Sequence, residues 1–312
     1  MNSKPIYFGS DLNRGAENLS NHHSILQPVI TVNSGQMFLW EKYQNMWYGI
    51  YGNYILKFSI NEDNTLFFDS FPILNHWEKI VFRLDEDIDY ISSLFVSDPL
   101  VPQLFKTYSG LRLTRQDPYQ CMISFACSSN TNIAMIRRML RNLCQKFGTK
   151  TQIDDRIFFT FPTIRNLYNA SINELCSCGT GYRAKTIKSI VESIVSGSLS
   201  VNELCHCNYD EAKKRLLSIY GIGNKIADCI LLFSLEKTEA FPIDVWVARS
   251  LYSYYSELLN QPNLRLDLKS SKLTSNQYDI VSRIMRQHFG KYAGYVQQYL
   301  YFHMRHTANK KW

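Results

Sequence analysis

The sequence predicts an α+β protein in which an N-terminal antiparallel β-sheet domain, residues 1–113, precedes an α-helical domain, residues 114–312. The first part consists of short aromatic and β-branched runs separated by turn residues, which is typical of strands. From about Pro118 onward, apolar residues recur with the spacing of buried helix faces. The charge changes at the same point, because the first domain has 8 Lys+Arg and 12 Asp+Glu whereas the second has 26 and 15.

The strands of the first domain follow from local patterns. Five short runs predict them, over 29–32, 37–40, 47–51, 54–58 and 66–68. Gly52-Asn53 is a signal for a two-residue hairpin, and residues 61–64 mark the next turn. Such short connections join strands that run in opposite directions, so the sheet is expected to be antiparallel. The acidic residues 85–89 then lead into a predicted helix.

Apolar side chains with helical spacing run through the second domain. Gly148 is expected to close the first of its long helices as a C′ residue. The pattern predicts helices over 133–147, 183–197, 210–219, 224–235, 245–259 and 275–305. A polar connection is expected over residues 260–274.

Two of these helices meet at Gly221-Ile222-Gly223, and Lys225 follows in the first turn of the second helix. Asn208 and Glu211 offer a capping-box-like start for the first helix, and glycine readily adopts the positive φ that a sharp reversal needs. The hairpin leaves backbone N–H groups free to hold an anion, for which nucleic-acid phosphate is the obvious candidate. A Gly-x-Gly turn can equally be an ordinary connection between helices.

The net charge of +7 favours a polyanionic partner such as DNA, since Lys and Arg release counterions from phosphate. No apolar run approaches the roughly 18–20 residues that a membrane span needs. The first residues lack the apolar core of a signal peptide, so we expect a cytoplasmic protein. Its 8 cysteines are then expected to be reduced thiols rather than disulfides.

An aspartate follows the hairpin, at the expected start of another helix, in the stretch Ala-Phe-Pro-Ile-Asp-Val that contains Asp244. Residues 216–249 thereby resemble the helix-hairpin-helix-GPD superfamily of DNA base-excision glycosylases. The combination of Lys225 with Pro-x-Asp is similar to the 8-oxoguanine DNA glycosylase/lyases. The resemblance implies a two-lobed helical domain after an N-terminal antiparallel sheet, and double-stranded DNA containing 8-oxoguanine as the partner.

Lys225 and Asp244 are the predicted catalytic residues. A neutral lysine amine can attack C1′ of deoxyribose, expel the base and form a Schiff base that permits β-elimination. A nearby carboxylate can stabilise the cationic sugar and orient the lysine. Each residue also has a simpler interpretation: Asp244 could be no more than a helix N-cap, and Lys225 could be a solvated surface lysine.

Residues 34–40, Ser-Gly-Gln-Met-Phe-Leu-Trp, resemble the family's Ser-Gly-Gln-x-Phe-x-Trp strand. There the glycine carbonyl accepts a hydrogen bond from N7–H of 8-oxoguanine. Guanine has no proton on N7, so an acceptor at that place separates the lesion from the normal base. The resemblance therefore implies that Gly35 recognises the lesion; without it, an ordinary turn glycine would be the interpretation.

The C-terminal stretch 290–301 resembles the family's Gly-x-Tyr-Ala-Gly-aromatic-x-Gln helix. By that resemblance, Gln297 bonds the Watson–Crick edge of the extruded base and Tyr301, where the family commonly has phenylalanine, stacks on one face. Cys229, one turn after the catalytic lysine, would line the other face. A small buried apolar residue is the alternative for this cysteine.

Two further stretches resemble the parts of the family that open the duplex. Ser-Ser-Asn-Thr-Asn-Ile-Ala at 128–134 implies that Asn130 fills the space beside the orphaned cytosine. Gly-Tyr-Arg-Ala at 181–184 implies that Tyr182 wedges the stack and that Arg183 contacts that cytosine. A structural role at a helix start competes with this second assignment.

The chain departs from the family pattern at two positions. Met135 replaces an arginine that makes a second contact to the opposite cytosine, so we expect a relaxed opposite-base preference. Trp246 replaces a histidine, so the phosphate contact of that histidine does not carry over. These changes indicate a bacterial or archaeal type, for which a nucleoid-associated location in the cytoplasm is expected.

No metal ligand is predicted. The Cys-x-Cys pairs at 176–178 and 205–207 lie beyond opposite ends of the helix over 183–197, and fifteen helical residues span roughly 22 Å. One zinc ion is therefore not expected to reach both pairs. The last cysteine is Cys229, so the iron–sulfur cysteines of endonuclease III relatives, which follow the catalytic aspartate, are absent. The resemblance allows a monovalent cation on the hairpin carbonyls.

These observations together predict a monomeric, bifunctional DNA glycosylase and AP lyase that removes 8-oxoguanine in base excision repair. One alternative is a monofunctional alkylated-base glycosylase, which shares the sheet and the aspartate. That class lacks the hairpin lysine, so Lys225 argues against it. The other alternative is a non-catalytic DNA-binding hairpin protein.

Overall fold

Four antiparallel strands form the sheet of the N-terminal part. The computed structural model describes residues 26–260 and 273–308. The sheet order is β1-β2-β3-β4, from β1 (Trp40–Tyr43), β2 (Met46–Tyr51), β3 (Tyr54–Ile60) and β4 (Leu66–Phe71). Tyr51 pairs with Tyr54 across a two-residue turn, so the predicted hairpin is confirmed. The last three of the five predicted strands are confirmed as well.

The first two predicted strands need correction. Residues 29–32 lie in a short helix, α1 (Pro28–Val32). Their β-branched side chains favour strands, but Pro28 occupies the first helical position, where its fixed φ suits a helix and its missing N–H costs nothing. In the run 37–40 only Trp40 belongs to a strand, because the two residues before it are buried in the core of the helical part.

The remainder of the described chain is mainly helical. Before the helical hairpin at Gly221–Gly223 the helices are α2 (Trp77–Val81), α3 (Ile88–Ser93), α4 (Val101–Thr107), α5 (Pro118–Cys127), α6 (Ile133–Phe147), α7 (Ile164–Asn169), α8 (Ile172–Leu175), α9 (Arg183–Val195), α10 (Val201–His206) and α11 (Tyr209–Leu217). After it come α12 (Asn224–Ser234), α13 (Val245–Tyr254), α14 (Ser256–Leu259), α15 (Ser275–Phe289) and α16 (Ala293–Thr307). Within the described ranges, no helix has the length and apolar character to cross a bilayer.

The predicted long helices are present, but two of them are interrupted. The helix expected over 245–259 breaks at Tyr255 into α13 and α14. The helix expected over 275–305 breaks at Gly290, whose φ of +65° is left-handed and ends α15. A short 3₁₀ turn then leads into α16. The polar connection expected over 260–274 lies almost entirely outside the described residues.

Gly148 ends α6 as expected, and its backbone is extended, with φ −82° and ψ 172°, rather than in the left-handed conformation that is common for glycine at helix ends. A Cβ atom there would lie 2.0 Å from the carbonyl oxygen of Thr160, so close backbone approach is the reason for glycine. That approach involves a hairpin that the sequence patterns did not predict. Its strands are β5 (Lys150–Ile153) and β6 (Arg156–Phe159).

Buried hydrogen bonds fix the segment around Gly35 between the N-terminal part and the last helix. Gln298 on α16 donates from Nε2 to the carbonyl oxygen of Ser34 at 3.0 Å. Gln36 donates from its own Nε2 to the carbonyl oxygen of Arg112 at 2.8 Å. Because these side chains are buried, the bonds are shielded from competing water and hold Gly35 beside α16.

Candidate active site

A cavity of about 790 Å³ opens between the hairpin, the loop before α6, the loop before α13 and helix α16. It brings together most of the residues that the motifs singled out. They are Gly35, Asn130, Gly221, Gly223, Lys225, Cys229, Asp244, Gln297 and Tyr301. A cavity of this size, lined by a lysine and a carboxylate from different helices, is a candidate active site.

The hairpin that leads to the cavity joins α11 to α12. Asn208 caps α11 by accepting a hydrogen bond from the N–H of Glu211 at 2.9 Å. Gly221 has φ +82°, and a Cβ atom there would lie 2.0 Å from Oγ1 of Thr186, so both conformation and space require glycine. Gly223 differs from the expectation of a positive φ, since its φ is −98° and its backbone is extended.

Lys225 lies in the first turn of α12 and reaches into the cavity. Its Nζ donates to Oγ of Ser128 at 3.3 Å and lies 5.4 Å from the ring centroid of Phe125. Cys229 follows one turn later and also lines the cavity. Burial raises the pKa of Cys229 to about 12, although the positive charge of Lys225 opposes the shift. The cysteine is therefore a neutral thiol at neutral pH.

Asp244 is the N-cap of α13. Its Oδ1 accepts hydrogen bonds from the N–H groups of Trp246 and Val247, both at 2.9 Å. Because both capping bonds go to Oδ1, the cap is compatible with a catalytic role for Oδ2. Burial raises the pKa of Asp244 above its ordinary value, against the opposing effect of the two amides and of the charges on Lys225 and Arg305.

The opposite wall of the cavity is formed by Gly35 and α16. Gly35 has φ +79°, which favours glycine. Gln297 is 4% exposed, and its Oε1 atom has no hydrogen-bond partner among the described residues. A buried acceptor that lines a cavity would gain a partner from a bound donor group. Tyr301, one turn further along α16, closes this wall beside Gly35.

Tyr182 and Arg183 do not line the cavity but lie at its rim. Arg183 donates from Nε to the carbonyl oxygen of Ser129 at 2.9 Å, and Tyr182 donates to the same oxygen at 3.1 Å. Tyr182 is 60% exposed. Asn130, the residue after Ser129, has φ +48° and an exposed side chain. Tyr182 and Arg183 both bind Ser129, and Ser129 and Asn130 border the cavity. The three predicted duplex-opening residues therefore lie together at the rim.

Met135 and Trp246, the two departures from the family pattern, lie near the same opening. Met135 is 40% exposed in the first turn of α6. Two guanidinium groups lie near the ring of Trp246, that of Arg249 at 4.9 Å and that of Arg305 at 5.6 Å from its centroid. An aromatic face stabilises a cation at such distances. These contacts place two positive charges beside the N-terminus of α13.

The cavity lining includes residues that were not predicted, and three of them carry polar groups near Lys225 or Asp244. Ser128 is the first residue of the Ser-Ser-Asn stretch, so the motif that identified Asn130 could have identified it. Arg305 follows Tyr301 by one helical turn, and this spacing was a usable signal. Tyr278 had no signal in the local sequence, because its place depends on how α15 packs. Among the described residues, no group of three His, Cys, Asp or Glu is placed to hold a metal ion.

Comparisons with known proteins agree with this architecture. Residues 18–122 match the family model of the 8-oxoguanine DNA glycosylase N-terminal domain, and residues 123–268 match the helix-hairpin-helix-GPD superfamily of base excision DNA repair proteins. A probable N-glycosylase/DNA lyase of Methanothermobacter thermautotrophicus is 30% identical over 253 residues, which cover 74% of this chain and 75% of that protein.

A second relative and a solved structure extend the comparison. The N-glycosylase/DNA lyase of Saccharomyces cerevisiae is 32% identical over 241 residues, 70% of this chain and 64% of that protein. The crystal structure of Clostridium acetobutylicum 8-oxoguanine glycosylase/lyase with DNA has a TM-score of 0.78 at 28% identity, and the match covers 91% and 93% of the two chains. The chain therefore belongs to the 8-oxoguanine DNA glycosylase/lyase family of helix-hairpin-helix-GPD base excision repair proteins.

Proposed function

We propose that this protein is a bifunctional DNA glycosylase and AP lyase that excises 8-oxoguanine from double-stranded DNA. The observation that carries the proposal is the convergence of Lys225 and Asp244 on one cavity from the starts of two different helices. A monofunctional glycosylase would need the carboxylate but not the amine. A DNA-binding module would need neither group in a cavity that can hold a base.

The reaction would start with the neutral amine of Lys225 attacking C1′ of the damaged nucleotide. As the new C1′–N bond forms, the bond to the base breaks, and its electron pair leaves with the base, which takes up a proton. Opening of the sugar ring then gives a Schiff base between Lys225 and C1′. Loss of a proton from C2′ permits β-elimination, which breaks the bond to the 3′ phosphate oxygen.

Asp244 would act on the charge that develops in the sugar. A carboxylate beside C1′ stabilises an oxocarbenium-like transition state, and its effect is larger in a poorly solvated cavity than in water. The two N–H groups that bind Oδ1 hold the side chain in one orientation. Asp244 is therefore pre-organised and needs little rearrangement during the reaction.

The opposite wall would recognise the extruded base. The carbonyl of Gly35 would accept a hydrogen bond from N7–H, which guanine lacks, and Oε1 of Gln297 would accept a hydrogen bond from the Watson–Crick edge. The ring of Tyr301 and the neutral thiol of Cys229 would cover the two faces of the base. These contacts would replace the stacking that the base loses when it leaves the duplex.

The rim would hold the opened duplex. Tyr182 would fill the stack, while Asn130 and Arg183 would contact the cytosine left without a partner. Backbone N–H groups near Gly221 and Gly223 would bind phosphate at the start of α12. Because Met135 offers no donor to the opposite base, we expect the preference for cytosine at that position to be relaxed. A monovalent cation at the hairpin stays a prediction, and no step depends on it.

Reduction with borohydride tests the proposal, because it converts a Schiff base into a stable protein–DNA adduct. The protein is incubated with a duplex that carries 8-oxoguanine opposite cytosine, and trapped adduct, released base and strand cleavage are scored separately. Lys225→Gln should abolish trapping and keep DNA binding, whereas Lys214→Gln, on the exposed side of α11, should trap normally. Trapping by the Lys225→Gln variant would show that another group is the nucleophile, and base release without trapping by the unaltered protein would indicate a monofunctional enzyme.

A further inference from the structure

The hydroxyl of Tyr278 on α15 connects the two elements that carry the proposed catalytic residues. It donates to Oδ2 of Asp228 on α12 at 2.8 Å. It accepts a hydrogen bond from the backbone N–H of Ile243 at 3.1 Å. Asp228 lies on the same helix as Lys225, three residues later, and Ile243 directly precedes Asp244. A single oxygen atom thus joins the lysine helix to the aspartate loop.

Asp228 is the fixed end of this connection. Its side chain is fully buried and makes hydrogen bonds to three donors, which are Tyr278, the hydroxyl of Tyr209 at 2.6 Å and Nζ of Lys213 at 3.2 Å. An ionised carboxylate only accepts hydrogen bonds, so both tyrosines must point their protons at it. The Tyr278 oxygen therefore presents its lone pairs to Ile243. Burial keeps the Tyr278 hydroxyl protonated by raising its pKa well above the ordinary value.

Apart from the Tyr278 bond, the loop before Asp244 is held at its start, where the N–H of Ala240 donates to the carbonyl oxygen of Lys237 at 2.9 Å. Residues 240–244 have no regular secondary structure, so their backbone groups are held by neighbours rather than by a helix or a sheet. Oγ of Ser282 reaches the carbonyl oxygen of Phe241 at the long distance of 3.5 Å. The bond from Ile243 to Tyr278 is shorter than that contact and buried, and it fixes the peptide directly before Asp244, whereas the N–H groups of Trp246 and Val247 orient the carboxylate itself.

We propose that Tyr278 is a positioning residue, which sets the Asp244 carboxylate relative to Lys225 by linking the Ile243 amide to Asp228. The inference rests on the proposed function, since it concerns the geometry of the same two groups. Tyr278 itself lines the cavity, so its position is coupled to the space that the substrate would occupy. Loss of its hydroxyl would free Ile243 and let the start of α13 shift away from the reacting carbon.

Tyr209 provides a matched control. It is buried like Tyr278 and also donates a hydrogen bond to Asp228, but its hydroxyl contacts Lys213 rather than Ile243. Replacement of either tyrosine by phenylalanine removes one donor from the same carboxylate and keeps the ring. A general structural role of the Asp228 cluster predicts similar effects of the two changes. A positioning role predicts that only Tyr278→Phe affects the loop at Asp244.

The experiment compares Tyr278→Phe and Tyr209→Phe in the full chain by two readouts. Amide hydrogen exchange, followed by mass spectrometry, reports on residues 240–245. Single-turnover release of 8-oxoguanine reports on excision, and cleavage of a preformed abasic site reports on the step that follows it. We expect Tyr278→Phe to speed exchange in that segment and to slow excision by about tenfold to a hundredfold, as displacements near 1 Å can do. Cleavage at the abasic site should fall less, because the base has already gone.

Tyr209→Phe should leave exchange at 240–245 and the excision rate close to those of the unaltered protein, even if its thermal midpoint falls. Equal losses of excision in the two variants would overturn the inference, as would unchanged exchange at this segment in Tyr278→Phe. The exchange comparison does not depend on the substrate. If the unaltered protein released no 8-oxoguanine, the proposed function would fail, while the link between Tyr278 and the aspartate loop would still be tested.

Discussion

The hydroxyl oxygen of Tyr301 lies 2.7 Å from the point that a Cβ atom on Gly35 would occupy. These two residues come from opposite ends of the chain, yet they form one wall of the cavity. Gly35 also has φ +79°, a conformation that other residues adopt only at a cost. Two independent constraints therefore require glycine at the proposed lesion-recognising carbonyl.

Gly35→Ala should impair excision of 8-oxoguanine more than it impairs stability. The added methyl group would push Tyr301 or the carbonyl out of place, and the left-handed backbone would cost about 1 to 2 kcal/mol. Gly52→Ala is the matched control, since Gly52 has φ +57° but no atom within 4 Å of its Cβ position. Both variants should lose unfolding free energy, measured in urea, but only Gly35→Ala should lose excision. Normal excision by Gly35→Ala would exclude the proposed role of this carbonyl.

As the pH is lowered, the excision rate should begin to fall at a higher pH than it would with an aspartate of ordinary pKa. Asp244 must be ionised to stabilise the cationic sugar, and burial raises its pKa, so protonation removes the active form sooner as the pH falls. Asp244→Asn should lower the single-turnover rate by about a hundredfold or more and abolish this acid limb. Asp210→Asn, at an 86% exposed side chain, should retain the limb. An unchanged profile in Asp244→Asn would assign the limb to another group.

Met135→Arg should increase the preference for cytosine opposite the lesion. Met135 is exposed in the first turn of α6, beside the cavity rim, where a guanidinium could donate to the acceptors of the orphaned base. A good pair of such bonds is worth about 1 to 3 kcal/mol, so the ratio of excision opposite cytosine to excision opposite adenine should rise roughly tenfold or more. Met135→Leu should leave the ratio unchanged. A strong cytosine preference in the unaltered protein would contradict the role assigned to Met135.

Local signals explain why much of the fold could be predicted. The hairpin at Gly52 and the start of α12 depend on neighbouring residues, so turn and helix patterns identify them. Residues 29–32 form a helix although their side chains favour a strand, because strand propensity is weak compared with the effect of the proline that starts a helix there. The hairpin of β5 and β6 was missed because short strands of mixed polarity carry little signal.

The candidate site was predictable only where a motif contained the residue. Lys225 and Asp244 lie within one recognisable stretch, whereas Tyr278 and Arg305 come from helices that reach the cavity through long-range packing. Their contacts depend on where α15 and α16 lie against α12 and α13, which no local pattern encodes. The same holds for Arg83, whose buried charge is paired with the nearby Glu86 but also with a residue far along the chain.

That residue is Glu236, which joins the N-terminal part to the helical part. It accepts hydrogen bonds from Nη1 of the fully buried Arg83 at 2.8 Å and from Nε of Arg115 at 2.9 Å. Burial alone would raise the pKa of Glu236, but the two guanidinium groups outweigh it and lower the pKa below the ordinary 4.5. The carboxylate therefore stabilises the folded state in its ionised form.

Glu236→Gln should lower the free energy of unfolding by about 3 kcal/mol, because it removes one of the two carboxylates that pair with the buried charge of Arg83 and leaves Glu86. The estimate is at the low end for buried pairs, since the Glu236 side chain is 29% exposed. The difference from the unaltered protein should be fully present above about pH 4.5 and shrink as the pH falls through the lowered pKa. Urea unfolding at several pH values measures it. Glu203→Gln, which breaks an exposed pair with Arg215, should change nothing measurable, and an equal loss in both variants would contradict a special role for the buried cluster.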